Sequence, residues 1–310
     1  MVKILVYGAG AIGSLFGGLL SRSHDVTLVG RRPHVEAITR EGLVVASESG
    51  EETYHPRVSE RIPSGRSWDL VAVAVKVFDL EEAGLTLAGL DPAPESVLLL
   101  QNGIGNEEVL RAHVPAEKIV RAVVYHGVSV ANPGRLLWFG RGMTLLGRPL
   151  VAGPAGPRTE GYARSFTDSG FPSRIAEDME REIWRKLAVN AGINPLGAIT
   201  GLANGELLRS PFLLRLLRSV DQEVEAVARA VTGRPVETAG KAEEIAENTA
   251  GNRNSMLVDL EEGRRTEIDF LSGAVVRHAD VHGIPVPVNQ VLEGLVKGKE
   301  EAMRRRMGKG

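Results

Sequence analysis

In the first half of the chain, short runs of β-branched and other apolar residues alternate with stretches of helical periodicity. The runs that predict strands are residues 3–8, 25–30, 70–76, 96–102, 118–130 and 141–147, and residues 11–23 fit a helix. The runs 70–76 and 96–102 are almost continuously apolar, which is typical of strands covered on both faces. This alternation predicts a doubly wound α/β domain.

Beyond about residue 172 the strand pattern gives way to helical periodicity. The predicted helices are residues 177–200, 204–232, 236–251, 253–262 and 266–282. We therefore predict two domains, an α/β domain over residues 1–172 and an all-α domain over residues 173–310. Residues 149–161 are rich in proline and glycine, and we interpret them as a surface loop of the first domain, although they could instead mark the boundary.

Composition and charge narrow the class of protein. The 310 residues include 37 basic and 39 acidic side chains, a net charge of −2, which argues against a nucleic-acid or membrane-surface partner. The chain has no cysteine, so it has no disulfide and no thiolate metal site, and we predict no metal site. The apolar run near the N-terminus ends at Gly8, and no later run could span a bilayer. We expect a soluble cytoplasmic protein.

The loop after the first predicted strand carries the spacing G-x-G-x-x-G. Gly8 would permit a tight turn, Gly10 would let a pyrophosphate approach the backbone, and Gly13 would let helix and strand pack closely. The following helix would offer free N–H groups and the positive end of its dipole to an anion. We predict a dinucleotide site formed by the loop residues Gly8, Ala9, Gly10, Ala11, Ile12 and Gly13. The alternative is a glycine-rich turn without a ligand.

The end of the second predicted strand bears on the kind of dinucleotide. A protein that binds NAD tends to place an acid there, whereas this strand ends in Gly30, Arg31 and Arg32, and the first acid is Glu36. Two guanidinium groups suit a 2′-phosphate, so we predict NADPH rather than NADH, with Arg31 as the better candidate. The alternative is that both arginines are merely exposed.

Two further predicted strands end on polar residues. The run 70–76 ends at Lys76, and the run 96–102 ends at Gln101 and Asn102. Ligands of doubly wound sheets lie beyond the carboxyl ends of the strands, so Lys76 and Asn102 are candidate site residues. Capping of the strand ends is the alternative.

A polar stripe interrupts the apolar helix predicted over residues 177–200. Lys186, Asn190 and Asn194 recur at intervals of four, which places them on one slowly drifting face. Reduction of a carbonyl needs a proton donor and fixed dipoles, and Lys186 could supply the proton while the two amides hold substrate oxygens. The alternative is a lysine that snorkels outward beside two amides bonded to neighbouring helices.

Five segments are spread over nearly the whole chain: GAGAIG, LLLQNGIGNEE, WRKLAVNAGINPLGAI, NRNSMLVDLEEGRRTEIDFLSG and HGIPVPVN. Together, and in this order, they resemble the ketopantoate reductase family. The third and fourth blocks are specific, whereas the glycine loop alone is not. The resemblance implies a Rossmann-type domain followed by a helical domain like that of 6-phosphogluconate dehydrogenases. It also implies reduction of ketopantoate by NADPH to (R)-pantoate, on the route to pantothenate and coenzyme A.

The same resemblance implies roles for particular residues. Lys186 matches the catalytic lysine, and Glu267 matches a glutamate near the cofactor ribose and that lysine. The remaining matches are substrate-binding Asn190, Asn194, Asn252 and Ser255, Asn102 beside nicotinamide and substrate, Lys76 at the third strand's end, and Arg31 at the 2′-phosphate. Glu267 could instead be a first-turn helix acid, Ser255 a helix-start residue and Asn252 a helix cap. Asn254 departs from the family's usual serine or threonine, and we expect it to face away from the site.

The sequence is also compatible with other functions. One is an NADPH-dependent reductase of another 2-keto acid, or an opine-type dehydrogenase, which would need a second carboxylate site and an amine site. Another is a non-catalytic NADPH sensor, which we would expect to have lost Lys186 or Glu267. Exposed helices of the second domain could also pair two copies into a homodimer.

Overall fold

The computed structural model describes residues 1–152 and 155–307, and the chain divides into two compact units. The first unit contains residues 1–101 and 106–179, and the second contains residues 102–105 and the chain from residue 180 onward. The first unit extends beyond residue 172, where the sequence placed the boundary, because the strand Ser173–Ile175 pairs with its sheet.

The first unit is an α/β structure whose described strands form two sheets, one of eight strands and one of four. The strands are β1 Lys3–Tyr7, β2 Asp25–Val29, β3 Leu43–Ser47, β4 Gly50–Tyr54, β5 Arg57–Ser59, β6 Leu70–Val73, β7 Val97–Leu99, β8 Ile119–Val124, β9 Gly127–Asn132, β10 Arg135–Gly140, β11 Thr144–Pro149 and β12 Ser173–Ile175. The helices are α1 Ala11–Leu20, α2 Arg32–Glu41, α3 Leu80–Ala88, α4 Asn106–Arg111 and α5 Ala155–Asp168.

The strand order of the large sheet confirms the doubly wound prediction. It runs β12-β11-β8-β7-β6-β1-β2-β5, and each neighbouring pair is parallel except β8 with β11. The register pairs Ile4 of β1 with Val26 of β2 and with Leu70 of β6. The carboxyl ends of β6, β1 and β2 therefore meet at one edge, where ligands of such sheets bind.

The single strand predicted over residues 118–130 is wrong. The segment forms two strands, since β8 ends at Val124 and β9 begins at Gly127. Strand β8 belongs to the large sheet, whereas β9 belongs to a separate four-stranded sheet, β4-β3-β10-β9. An unbroken run of apolar residues does not reveal such a change of sheet, because both strands have the same pattern of composition.

The loop predicted over residues 149–161 is also wrong in its second half. Helix α5 begins at Ala155, while residues 153 and 154 lie outside the described residues. The face of α5 that carries Tyr162 and Phe166 is buried, and the Phe166 ring meets Phe16 edge-on at 4.9 Å. Tertiary packing of these aromatic residues outweighs the local proline and glycine content.

The second unit is helical. Its helices are α6 Met179–Thr200, α7 Asn204–Arg209, α8 Pro211–Thr232, α9 Lys241–Asn248, α10 Ser255–Glu261, α11 Ser272–His282 and α12 Pro287–Met307, with a 3-10 helix at Ile268–Phe270. The predicted helix 204–232 is divided at Ser210, whose hydroxyl caps α8 just before a proline at its first position. None of the helices in the described part of the chain has the length and apolar composition of a membrane-spanning segment.

Helix α6 is the central element of the helical unit. Both its flanks contribute to one apolar cluster, which includes Trp184, Leu187 and Ile193. Pro195 lies inside the helix and cannot donate a backbone hydrogen bond. At the far end, the Lys299 ammonium donates to the carbonyl oxygens of Ala198 and Ile199 at 2.7 and 3.0 Å, so a cation stabilises the negative end of the helix dipole.

A buried carboxyl on α8 makes stability depend on pH. Asp221 is 3% exposed, and burial raises its pKa to about 7. The backbone N–H of Gly240 partly opposes this shift, but neither carboxylate oxygen has a hydrogen bond of good geometry within the described residues. Ionisation of this group in the folded protein is therefore unfavourable.

We expect Asp221→Asn to stabilise the protein only where the wild-type carboxyl must ionise. The pKa of Asp221 is raised on folding, so its contribution to stability is complete below about pH 4 and is lost as pH rises to about 7. The gain in free energy of unfolding should grow from near zero at acidic pH to about 3–4 kcal/mol above neutrality. Denaturant unfolding across this range measures it, and a gain independent of pH would contradict the explanation.

Candidate active site

The glycine loop follows β1 and opens α1, as the motif requires. Gly8 has a φ of +114°, and a Cβ there would lie 2.5 Å from the Val75 nitrogen. A Cβ on Gly13 would lie 2.0 Å from the Gly8 carbonyl oxygen, so helix and strand pack without room for a methyl group. A Cβ on Gly10, at the N-cap of α1, would meet nothing within 4 Å. The backbone around Gly10 is thus open, as a cradle for an anion must be.

The end of β2 lacks an acidic side chain at Gly30 because no side chain fits there. A Cβ on Gly30 would lie 2.3 Å from the Ala9 Cβ, so an acidic residue is excluded there by contact with the glycine loop. Arg31 is the exposed N-cap residue of α2, and it forms no ion pair among residues 1–152 and 155–307. Arg32 is already paired with Glu36 at 2.7 Å. Arg31 is therefore the better anion ligand of the two.

Lys76 lies just beyond the carboxyl end of β6, and Asn102 lies just beyond that of β7. Lys76 follows β6, is half-buried, and precedes a short 3-10 turn. Asn102 begins the segment 102–105, which belongs to the helical unit. A Cβ on Gly103, whose φ is +90°, would lie 2.5 Å from the Phe270 carbonyl oxygen. This close approach brings the Asn102 segment against the 3-10 helix that follows Glu267.

The polar stripe lies on one helix, as predicted. Lys186, Asn190 and Asn194 are all in α6, and both asparagines are 8% exposed. The Asn190 amide nitrogen is buried and has no hydrogen-bond partner within the described part of the chain. Asn190 is therefore not an amide satisfied by neighbouring helices, and a buried donor of this kind costs free energy unless a ligand oxygen accepts from it.

Lys186 has the altered acidity that proton transfer requires. Part of its surface remains accessible, but protein atoms surround the ammonium closely, and this burial lowers its pKa to about 8. Two residues earlier, Trp184 is buried and meets the His278 ring of α11 edge-on at 5.5 Å. This packing fixes the turn of α6 that carries Lys186. A lysine with a pKa of about 8 can exchange a proton near neutral pH, unlike an ordinary surface lysine.

Helix α10 begins beside the part of α6 that carries Asn194. Asn254 caps α10 by accepting from the Leu257 N–H at 3.0 Å, and its amide also donates to the Ile193 carbonyl at 3.3 Å. Ser255, the next residue, is exposed at the first position of α10. The structure therefore brings the segments of Asn194 and Ser255 together.

The cap of α10 is Asn254 rather than Asn252. The Asn254 side chain is 8% exposed and forms the bond to α6. A Cβ on Gly197 would lie 2.1 Å from the Asn254 amide nitrogen, so the inserted amide depends on a glycine one helical turn beyond Ile193. The sequence signal for this contact was the presence of both Asn254, where the family often has serine or threonine, and Gly197.

Glu267 is half-buried and precedes the 3-10 helix Ile268–Phe270. This helix is a single turn, and α11 starts only at Ser272, so Glu267 is not a first-turn acid of a long helix. The neighbouring Thr266 donates its N–H to Glu300 at 2.6 Å, and Asp269 pairs with Lys297 at 2.6 Å. These bonds to α12 hold the Glu267 segment from both sides.

Family models match both units of the chain. Residues 4–149 match the model described as "Ketopantoate reductase PanE/ApbA", and residues 178–300 match its C-terminal counterpart. The 2-dehydropantoate 2-reductase of Archaeoglobus fulgidus is 35% identical over 303 residues, covering 97% of this chain and 99% of the relative. That of Halobacterium salinarum is 36% identical over 303 residues, covering 96% and 98%.

Solved structures agree with this assignment. A PanE/ApbA family ketopantoate reductase from Ralstonia eutropha is 35% identical with a TM-score of 0.85, covering 97% of this chain and 99% of that one. A D-mandelate dehydrogenase solved with NADH and anilino(oxo)acetate is 27% identical with a TM-score of 0.87 and the same coverage. These neighbours share the α/β unit followed by a helical unit and support a nicotinamide cofactor. The chain belongs to the ketopantoate reductase family of oxidoreductases.

Proposed function

We propose that this protein reduces ketopantoate to (R)-pantoate with NADPH, a step on the route to pantothenate and coenzyme A. The observation that carries the proposal is the stripe of α6, where Lys186 has a lowered pKa and Asn190 offers a buried donor without a partner in the described chain. This stripe occurs in a chain whose relatives are named 2-dehydropantoate 2-reductase and match it over almost their whole length.

The residues of the α/β unit fit a dinucleotide. The open backbone at Gly10 and the free N–H groups of α1 would take the pyrophosphate, with Ala9, Ala11 and Ile12 completing the loop. Arg31 would take the 2′-phosphate, and Lys76, Asn102 and Glu267 would contact other parts of the cofactor. When bound, the dihydronicotinamide supplies the hydride that reduces the carbonyl carbon.

The side chains of the helical unit would carry out the rest of the reaction. Asn190, Asn194 and Ser255, assisted by Asn252, would hold the oxygens of the keto acid, with Asn102 beside the reacting carbon. Lys186 would donate a proton to the carbonyl oxygen as negative charge develops there. Glu267 would orient Lys186 and favour its charged form.

The cofactor preference rests on Arg31. We expect Arg31→Ala to raise the KM for NADPH about 10- to 100-fold, as loss of a charge-assisted phosphate contact does, and to leave the KM for NADH nearly unchanged. Arg32→Ala is the matched control, because Arg32 is paired with Glu36. Equal effects on the two cofactors, or a larger effect at Arg32, would contradict the assignment.

The acidity of Lys186 predicts a pH profile. Its pKa of about 8 means that the ammonium form, which donates the proton, is lost as pH rises above that value. We expect kcat/KM for reduction to fall about tenfold per pH unit on the alkaline side. Initial rates between about pH 6 and 10 measure this limb. Activity that stays constant up to the alkaline end would show that Lys186 is not the proton donor.

The second candidate is reduction of a different 2-keto acid. The similarity to a D-mandelate dehydrogenase complex favours testing aromatic 2-keto acids as well. NADPH oxidation by purified protein, compared between ketopantoate, 2-ketoisovalerate and phenylglyoxylate, separates the two. A kcat/KM highest for ketopantoate supports the proposal, whereas a clear preference for phenylglyoxylate would retain the chemistry and replace the substrate.

The oligomeric state and location remain predictions from the sequence. Large apolar side chains are exposed on two helices of the second unit, Phe212 on α8 and Val291 and Leu295 on α12. Such surfaces are compatible with a homodimer, which sedimentation of the purified protein would detect. The predicted location is the cytoplasm.

A further inference from the structure

Helix α2 is attached to the α/β unit by two buried side chains, His34 and Ile38. Contacts of an isoleucine are not directional, so Ile38 alone would let the helix slide or rotate. His34 is 7% exposed and bonds through both ring nitrogens. This imidazole therefore gives α2 two directional side-chain bonds to its surroundings.

The bonds of His34 fix its tautomer. The Gly134 N–H donates to Nδ1 at 3.0 Å, so Nδ1 has no proton, and in a neutral ring the proton is on Nε2. Nε2 lies 2.9 Å from the Ser14 hydroxyl oxygen and donates to it. Burial lowers the pKa of His34, which keeps the ring neutral and able to make both bonds at neutral pH.

His34 connects the two segments that would hold the two phosphate groups of NADPH, the pyrophosphate at the glycine loop and the 2′-phosphate at Arg31. Ser14 is in the first turn of α1, where its N–H donates to the Gly10 carbonyl at 2.8 Å. At the other end, the Arg31 carbonyl accepts from the His34 N–H at 3.0 Å in the first turn of α2. One imidazole thus connects the turn above the glycine loop to the turn that begins with Arg31.

We propose that His34 is a positioning residue for recognition of the 2′-phosphate. It holds α2 at a fixed place relative to α1, so that Arg31 meets the 2′-phosphate when the pyrophosphate of the same molecule lies on the glycine loop. The inference rests on the proposed preference for NADPH. A guanidinium and a phosphate bond well only in a narrow range of geometries, so a small shift of α2 weakens this contact selectively.

Two substitutions separate the two bonds of His34. The amide of His34→Gln reaches the Nε2 position and retains the bond to Ser14, whereas the shorter His34→Asn reaches only the Nδ1 position and retains the bond to Gly134. We expect His34→Asn to raise the Kd for NADPH about 3- to 10-fold relative to that for NADH, the effect of one lost hydrogen bond. His34→Gln should restore most of the preference. Ser14→Ala removes the same bond with a smaller change in volume and should match His34→Asn.

Fluorescence titration with NADPH and with NADH measures these Kd values, and two results would contradict the proposal. Unchanged Kd values in His34→Asn and Ser14→Ala, or an equal rise for both cofactors, would overturn the proposal, because the bridge would then be absent or merely structural. In an Arg31→Ala background, His34→Asn should change the ratio no further, and an additive loss would show that His34 does not act through Arg31. If Arg31→Ala itself left the ratio unchanged, the proposed cofactor contact would fail first.

Discussion

Lys186→Met should lower kcat for ketopantoate reduction by about 10²- to 10⁴-fold, the usual contribution of a positioned proton donor, while NADPH binding remains nearly unchanged. Methionine is unbranched and apolar, so it fills the same space without the charge that burial disfavours. The variant should therefore still fold, since it removes a charge whose pKa burial already lowers. Stopped-flow hydride transfer and a fluorescence titration of NADPH measure the two effects separately.

Lys186→Arg distinguishes proton donation from charge alone. Arginine keeps the positive charge but does not give up its proton in proteins, so turnover should stay low and lose its alkaline limb near pH 8. Lys241→Met is the surface control, because the side chain of that lysine is 45% exposed and pairs with Glu244 at 2.8 Å. Near-normal turnover by Lys186→Met would remove the lysine from the mechanism, and near-normal turnover by Lys186→Arg would reduce its role to electrostatics.

Gly13→Ala and Gly10→Ala should fail in different ways although they add the same methyl group. At Gly13 the methyl would lie 2.0 Å from a backbone oxygen and 2.9 Å from the Ala74 Cβ. Neither neighbour is the end of a flexible side chain, so α1 must move away from β1. We expect a loss of about 3 kcal/mol or more in free energy of unfolding, the upper end of the cost of overpacking.

At Gly10 the methyl would meet nothing within 4 Å, and the backbone angles suit any residue. The stability of Gly10→Ala without cofactor should therefore stay within about 0.5 kcal/mol of wild type. Its Kd for NADPH should rise about 10- to 100-fold, because the methyl occupies the space that the pyrophosphate needs. Thermal unfolding and cofactor titration of both variants check the pair. Unchanged affinity in Gly10→Ala would place the pyrophosphate elsewhere.

Much of the fold could be predicted because its signals are local. The strand-glycine-helix context of Gly8 to Gly13 and the apolar run of β6 predicted the doubly wound unit, and the periodicity of residues 177–200 predicted α6 almost to its ends. The change of sheet between β8 and β9 and the helix α5 were missed, because both depend on which tertiary surface each segment contacts.

The candidate site shows the same limit. Sequence spacing placed Lys186, Asn190 and Asn194 on one helical face, but it could not show that Lys186 has a lowered pKa or that the Asn190 amide lacks a partner in the described chain. The bond from Asn254 to Ile193 joins residues far apart in sequence, so only the fold reveals it. Likewise, the sequence shows glycine at position 30, where a protein that binds NAD tends to have an acid. Only the structure explains why no side chain is tolerated there, through the contact with Ala9.

Transfer of deuterium from labelled cofactor is the most direct test of the central claim, that this protein reduces the keto carbon of ketopantoate with hydride from NADPH. The purified protein is incubated with ketopantoate and NADPH deuterated at the transferable position, and the product is examined by mass spectrometry and chiral chromatography. We expect (R)-pantoate with a single deuterium at C2. Failure to form pantoate, or formation of pantoate without the label, would contradict it.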